Sequence, residues 1–185
     1  SFCMRKLTIT FLTIVFCLNS NVVMSKTMDE LVEVYLINQI DDHRGYCLDI
    51  KGYKSRANIN RGMHAHTCYS YQGDIAVDQG FDRRKIMKNQ FFLSGFNVCM
   101  EVSSIVTPGS LSLKNCNLGD TQKFVLMSDG RVSLISNKKL CLTVSQGDSR
   151  KGGGGSPVHL IRNLSFQFCS DKLINYQKWG IRSDQ

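Results

Sequence analysis

The sequence predicts an all-β domain in which one four-stranded unit is built three times around a pseudo-threefold axis. Two observations carry that expectation. The first is a phrase that recurs. Cys47-Leu48-Asp49-Ile50, Cys99-Met100-Glu101-Val102 and Cys141-Leu142-Thr143-Val144 each open a unit, and Gln79-Gly80-Phe81, Gln122-Lys123-Phe124 and Gln177-Lys178-Trp179 each close one. Recurrence at about 42 to 55 residues means one supersecondary unit repeated. The second is strand chemistry. Val32 to Ile37, Lys123 to Met127 and Val132 to Ile135 are β-rich and bounded by turn residues such as Asp129-Gly130. No 11-residue window holds a capped apolar face of helical period. A unit of this size has one apolar face it cannot cover alone, so three units must bury their faces together. Phe81, Phe124 and Trp179 occupy equivalent positions and are expected to meet in that core. The glutamines two positions earlier are expected to satisfy loop backbone groups that would otherwise be buried unpaired.

Ahead of the repeats, Met4-Arg5-Lys6 and the apolar run Leu7 to Leu18 read as a signal peptide with cleavage before Lys26. The run is too short and too often interrupted by threonine for a membrane span. Ser1 to Cys3 read as upstream of the initiator methionine. The expected organisation is therefore a leader over 1–25 and a single domain over 26–185, with repeats at about 38–81, 82–124 and 125–181. The leader takes Cys3 and Cys17 with it. Six cysteines remain, which allow 15 pairings in principle. The repeat favours the scheme in which each copy closes its own loop: Cys47–Cys68, Cys99–Cys116 and Cys141–Cys169. Each bridge would contribute roughly 3 kcal/mol through loop entropy. Disulfides and leader agree on a secreted, extracellular protein. The formal net charge is +8, with Arg5 and Lys6 in the leader and the other bases dispersed. A disulfide-bonded secreted chain without a recognition motif is not expected to bind nucleic acid.

Inside each copy a second strand follows an apolar-x-apolar-x-x pattern: Met63 to Cys68, Leu111 to Cys116 and Val158 to Asn163. The third copy breaks step, with Asn163 where a cysteine is expected and Cys169 six positions later. The run Gly152 to Gly155 has no Lys-Ser/Thr or helix after it, so it reads as a hairpin loop rather than a phosphate cradle.

These motifs, C-L-x-V, V-x-L-x-x-C and Q-x-W/F in threefold step, resemble the ricin B-type (R-type) lectin domain, a β-trefoil. The resemblance covers roughly Val32 to Ile181. It implies carbohydrate binding without catalysis or cofactor, commonly of galactose or N-acetylgalactosamine, on glycoproteins or cell surfaces. In that family the acid two residues after the first cysteine accepts hydrogen bonds from sugar hydroxyls. An aromatic residue two before the second cysteine stacks on the sugar ring, and a polar residue ahead of the Q-x-W glutamine completes the contacts.

Carried over copy by copy, the resemblance makes Asp49, His66, Asp78 and Gln79 the carbohydrate site of the first copy, with Asp78 where the family usually has Asn. Tyr69 or Tyr71 is expected to supply the missing ring. In the second copy Glu101, Lys114, Thr121 and Gln122 make a weaker pocket without a platform. The third has Thr143, Ile161 and Tyr176 and makes a poor one. One shallow site would bind on the order of 1 mM.

Other constellations have plainer readings. His64 and His66 share one strand face and read as an exposed pair rather than a metal site, and Asp41/Asp42 as solvated loop acids. No catalytic signature appears. Asn163-Leu164-Ser165 is a glycosylation sequon. Two alternatives to the lectin reading stay open: a protein-interaction trefoil of inhibitor or toxin-targeting type with decayed sugar pockets, and recognition of sulfated glycans through Arg83, Arg84, Lys85 or Lys114.

Overall fold

A computed structural model describes residues 30–183. The expected signal peptide and its cleavage point lie outside these described residues.

Each unit contributes four strands. The first holds β1 (Leu31–Leu36), β2 (Tyr46–Ile50), β3 (Met63–Thr67) and β4 (Phe81–Asp82). The second holds β5 (Phe92–Leu93), β6 (Val98–Val102), β7 (Leu111–Lys114) and β8 (Phe124–Leu126). The third holds β9 (Val132–Leu134) and β10 (Leu140–Val144), then an extra hairpin of β11 (Arg150–Lys151) and β12 (Leu160–Arg162), then β13 (Leu164–Phe168) and β14 (Trp179–Arg182). The middle strands of each unit pair as antiparallel hairpins, β2–β3, β6–β7 and β10–β13. Outer strands join the units: β14 to β1, and β8 to β9. This is the β-trefoil.

Register repeats with the fold. The first cysteine of each unit faces one residue of the preceding strand and one of the following strand. These are Tyr35 and His66 around Cys47, Phe92 and Lys114 around Cys99, and Ser133 and Gln167 around Cys141. The three disulfides close as expected, with Cα–Cα distances of 4.9, 5.0 and 5.1 Å. Only two α-helical turns occur among the described residues, α1 (Arg83–Met87) and α2 (Ile174–Gln177). Asp82 caps the first by accepting from the Lys85 N–H.

Phe81, Phe124 and Trp179 are all buried in one apolar cluster with Val34, Leu48 and Leu142. Edge-to-face rings connect Phe81 to Phe91 and Phe91 to Phe124 at 6.1 and 5.9 Å between centroids, a spacing that suits the ring quadrupoles. The Trp179 indole N–H donates to the Leu142 carbonyl at 3.0 Å, so its one polar atom is satisfied inside the core.

The third copy departs from the sequence reading. Val158 to Asn163 is not the partner of the cysteine strand; β13 is, and Gln167, not Ile161, stands opposite Cys141. Leu160–Arg162 belongs instead to the extra hairpin, whose Ile161 and Arg162 pair with His66 and Ala65 on the free edge of β3. The apolar-x-apolar pattern recurs because an added edge strand also has one face to bury.

Candidate functional site

A threefold glutamine clamp underlies each potential pocket. Gln79 Oε1 accepts the Tyr69 N–H, and its amide donates to the Thr67 carbonyl and to Asp49 Oδ2. Gln122 does the same with Asn117, Asn115 and Glu101. Gln177 repeats it with Ser170, Phe168 and the Thr143 hydroxyl. The expected backbone role of these glutamines holds in all three copies. The same amide also fixes the side chain two residues after the first cysteine.

In the first copy this clamp draws Asp49 inward. Its carboxyl is 1% exposed, receives the Gln79 amide at 2.6 Å and meets His64 Nε2 at 3.1 Å. Burial, and then the nearby Asp78, push the Asp49 pKa well above the usual carboxylate range. His64 and His66 are not an exposed pair; both are buried, with ring centroids 5.5 Å apart. Burial lowers their pKa values to about 3 and about 4, so both imidazoles are neutral. The carbonyl of Thr67 lies 2.8 Å from His66 Nδ1, so that nitrogen carries the proton and Nε2 is left as the acceptor. Asp78 is buried too. One of its oxygens accepts the Lys54 backbone N–H, and the other has no hydrogen-bond partner.

Above His66 lies a cleft of about 440 Å³. The ring of Tyr69, 5.1 Å from His66, lines it, and Tyr71 does not. Two further walls come from segments that the sequence did not assign to the site. One is the turn Gly52–Arg56, which brings Tyr53, Lys54 and Arg56; Gly52 has φ of +145°, and a Cβ there would sit 2.5 Å from the Ala57 Cα. The other is the hairpin of the third copy, which brings Gly153 to Gly155 and His159. His159 crosses His66 and Tyr69 edge-on, 5.1 Å from each, and bonds the Tyr71 hydroxyl at 2.7 Å.

The hairpin is locked down by acids that the sequence suggested were merely solvated. Asp42 is buried and ion-paired to Arg44 at 2.8 Å, and Arg44 donates to the carbonyls of Pro157 and Val158. Asp41 accepts from Arg162, Ser149 and Tyr46. Burial opposes the Asp41 charge, but these donors, led by Arg162, hold its pKa down at about 2. First-copy acids thus anchor third-copy chain, and the cleft belongs to both.

Of the four first-copy residues expected to bind sugar, the structure brings all four together, but only His66 lines the cleft. Counting two residues back from Cys169 would have given Gln167; nothing local marked Lys54, Arg56 or His159. In the second copy Lys114 is exposed opposite Cys99, and Glu101 is held by Gln122 beside the half-buried Thr121. Asn163 is exposed between β12 and β13, its side chain accepting from Arg150 at 3.1 Å.

By sequence, no known protein family and no curated protein matches this chain. Solved structures do. The solution structure of the mdaA-1 domain superposes with a TM-score of 0.59 at 14% identity, covering 83% of this chain and 90% of that one. A designed threefold-symmetric protein, ThreeFoil, gives 0.57 at 14%, covering 84% and 99%. The C-half of an earthworm R-type lectin, solved with GalNAc, gives 0.54 at 13%, again covering 84% and 99%. What this chain shares with them is a fold: it is a β-trefoil.

Proposed function

We propose that this chain is a secreted, non-catalytic carbohydrate-binding protein that takes galactose- or N-acetylgalactosamine-type glycans in the first-copy cleft. One observation carries the reading: the rings of His66, Tyr69 and His159 and the polar Gln72 line a single cleft of about 440 Å³. The three rings are only 3–5% exposed and form a closed floor to the cleft, on which the C–H side of a pyranose can rest while imidazole and amide groups meet its hydroxyls. The shared fold with an earthworm lectin half solved with GalNAc supports the ligand class. Three intramolecular disulfides support an oxidising compartment. Among the described residues no helix is long and apolar enough to cross a membrane.

Asp49 has a changed part in this reading. The buried carboxyl braces His64 at 3.1 Å beside His66, and the sugar meets the histidine floor rather than the acid.

A glycan array with wild-type and Gly154→Trp protein tests it. Gly154 lines the cleft, and a side chain there begins in open space, so the wall accepts a bulky indole at the cleft without disturbing the fold. Galactoside binding that disappears in the variant is the expected result. Binding that survives the plug refutes the cleft as its seat, and a silent array refutes the sugar reading and leaves the protein-interaction reading in its place.

A further inference from the structure

The cleft is charged on one side only. Lys54 and Arg56 stand in its wall, and no carboxylate is among the residues that line it. Their own partners are rings. The Lys54 ammonium lies 5.6 Å from the Tyr53 centroid and 5.8 Å from that of Tyr69, and the Arg56 guanidinium lies 5.5 Å from Tyr53. Among the described residues neither has an ion pair, although Arg44, Arg162 and Arg182 nearby are each matched to an acid at 2.8 or 2.9 Å. Asp49 and Asp78 are buried, and the exposed Asp74 lies in a neighbouring pocket that shares Lys54, Tyr69 and Gln72 but is not in the lining of this cleft.

The backbone adds an independent observation. Lys54 has φ of +48°, a left-handed conformation that favours glycine or asparagine and costs a lysine energy. The buried Asp78 carboxylate holds it there by accepting its N–H. A lysine kept in a strained conformation, braced from below by Asp78 and with its ammonium in no ion pair among the described residues, is positioned for something outside the protein.

Resting on the sugar-site reading above, we infer that Lys54 and Arg56 bind an acidic substituent, a carboxylate or a sulfate ester, on the sugar that occupies this cleft. The ring of that sugar packs against Tyr69 and His159 while its anionic group reaches the two cations. Charge-assisted hydrogen bonds and the planar guanidinium fork suit either oxyanion. This places acidic-sugar recognition at the first copy rather than on Arg83, Arg84, Lys85 or Lys114. Those four lie on or beside α1 and at the end of β7, outside the lining of the cleft.

Isothermal titration of the disulfide-intact chain with lactose, sialyllactose and lactose carrying a sulfate ester tests the inference. At low salt an acidic probe binds at least about tenfold tighter than lactose, and the margin shrinks as salt shortens the screening length from about 10 Å at 0.1 M. The double variant Lys54→Gln/Arg56→Gln brings the ratio close to one at an unchanged melting temperature. Arg56→Gln alone, on an exposed turn, lowers it part of the way. Lys138→Gln, which removes one exposed charge elsewhere, leaves it intact. Whichever acidic probe holds the margin identifies carboxylate or sulfate as the natural group. Equal affinity for lactose and both acidic probes overturns the inference and leaves the sugar site standing. A margin that persists in the double variant overturns it too. No binding of any probe overturns both.

Discussion

Replacing each clamp glutamine by alanine gives a graded loss of stability that the hydrogen bonds fix in advance. Every such glutamine makes three bonds, but the setting differs. All three bonds of Gln79 are buried, including the one to the Asp49 carboxyl. Gln177 has one buried bond, to Thr143, and two that are half-buried. The three bonds of Gln122 are all half-buried. A buried donor or acceptor left unpaired costs about 1–3 kcal/mol, whereas one that water can reach costs much less. Taking values near the lower end, Gln79→Ala loses about 4 kcal/mol, Gln177→Ala about 2 and Gln122→Ala about 1. Urea unfolding at neutral pH with disulfides intact measures this, since the slope for a domain of this size is roughly 2 kcal/mol per molar. The midpoint for Gln79→Ala falls by about 2 M, and that for Gln122→Ala by about 0.5 M. Equal losses in all three, or an order led by Gln122, would refute the claim that burial of the partners decides the cost.

Other consequences concern the floor, the core and the bridges. Burial lowers His66 in the fold to about 4 from an unfolded value near 6.5, so the unfolded chain binds the extra proton first. The native state therefore loses stability as pH falls from about 6.5 to about 4, by roughly 1.4 kcal/mol per unit from this group. His66→Gln removes that share, and its stability measured from pH 7 to 4 declines by about 3 kcal/mol less than that of wild type; parallel pH profiles would refute it. Phe124→Ala, at the meeting point of the Phe91 and Phe166 rings, costs about 3–5 kcal/mol in the same unfolding assay. Removing Cys99 and Cys116 together frees a 17-residue separation and costs roughly 3 kcal/mol on the loop-entropy account. A loss under about 1 kcal/mol would show that unfolded-state structure dominates.

The fold was legible because its signals are repeated and covalent. Three cysteine phrases in step with three closing aromatics restrict pairing, register and core at once, and each copy checks the other two. Local chemistry was nearly enough for the turns; the Asp129-Gly130 bend between β8 and β9 forms as read, with Gly130 at φ +89°. The third copy failed for a physical reason. A strand added to an edge obeys the same two-residue alternation as the strand it imitates, so Val158 to Asn163 passed for β13 until pairing decided between them. The acids at 41 and 42 have local partners in Tyr46 and Arg44, but they were misjudged because Thr67, Ser149 and Arg162, which also bond them, lie 25 to 121 positions away. Sequence neighbourhood says little about such distant ion pairs.

The site was legible only in its lower layer. Asp49, His66 and Gln79 form one connected group, because the register that pairs Cys47 with His66 also sets Asp49 opposite His64, while Asp78 bonds the Lys54 N–H instead. The upper layer depends on the inserted hairpin, and that insertion changes what the lower layer can do. With Gly152 so close that a Cβ there would stand 3.5 Å from His66 Nε2, and His159 laid across the ring, the floor over Asp49 is closed, and the buried carboxyl has its charge suppressed. An open carboxylate would attract hydroxyl donors and repel anions. A buried carboxyl beneath neutral imidazoles, with Lys54 and Arg56 at the rim, reverses that preference. The same insertion that broke the repeat pattern in the third copy thus closes the cleft of the first; on the acidic-sugar proposal, deleting residues 150–162 exposes Asp49 and brings the titrated ratio of acidic probe to lactose close to one, and an unchanged ratio would refute that role of the insertion.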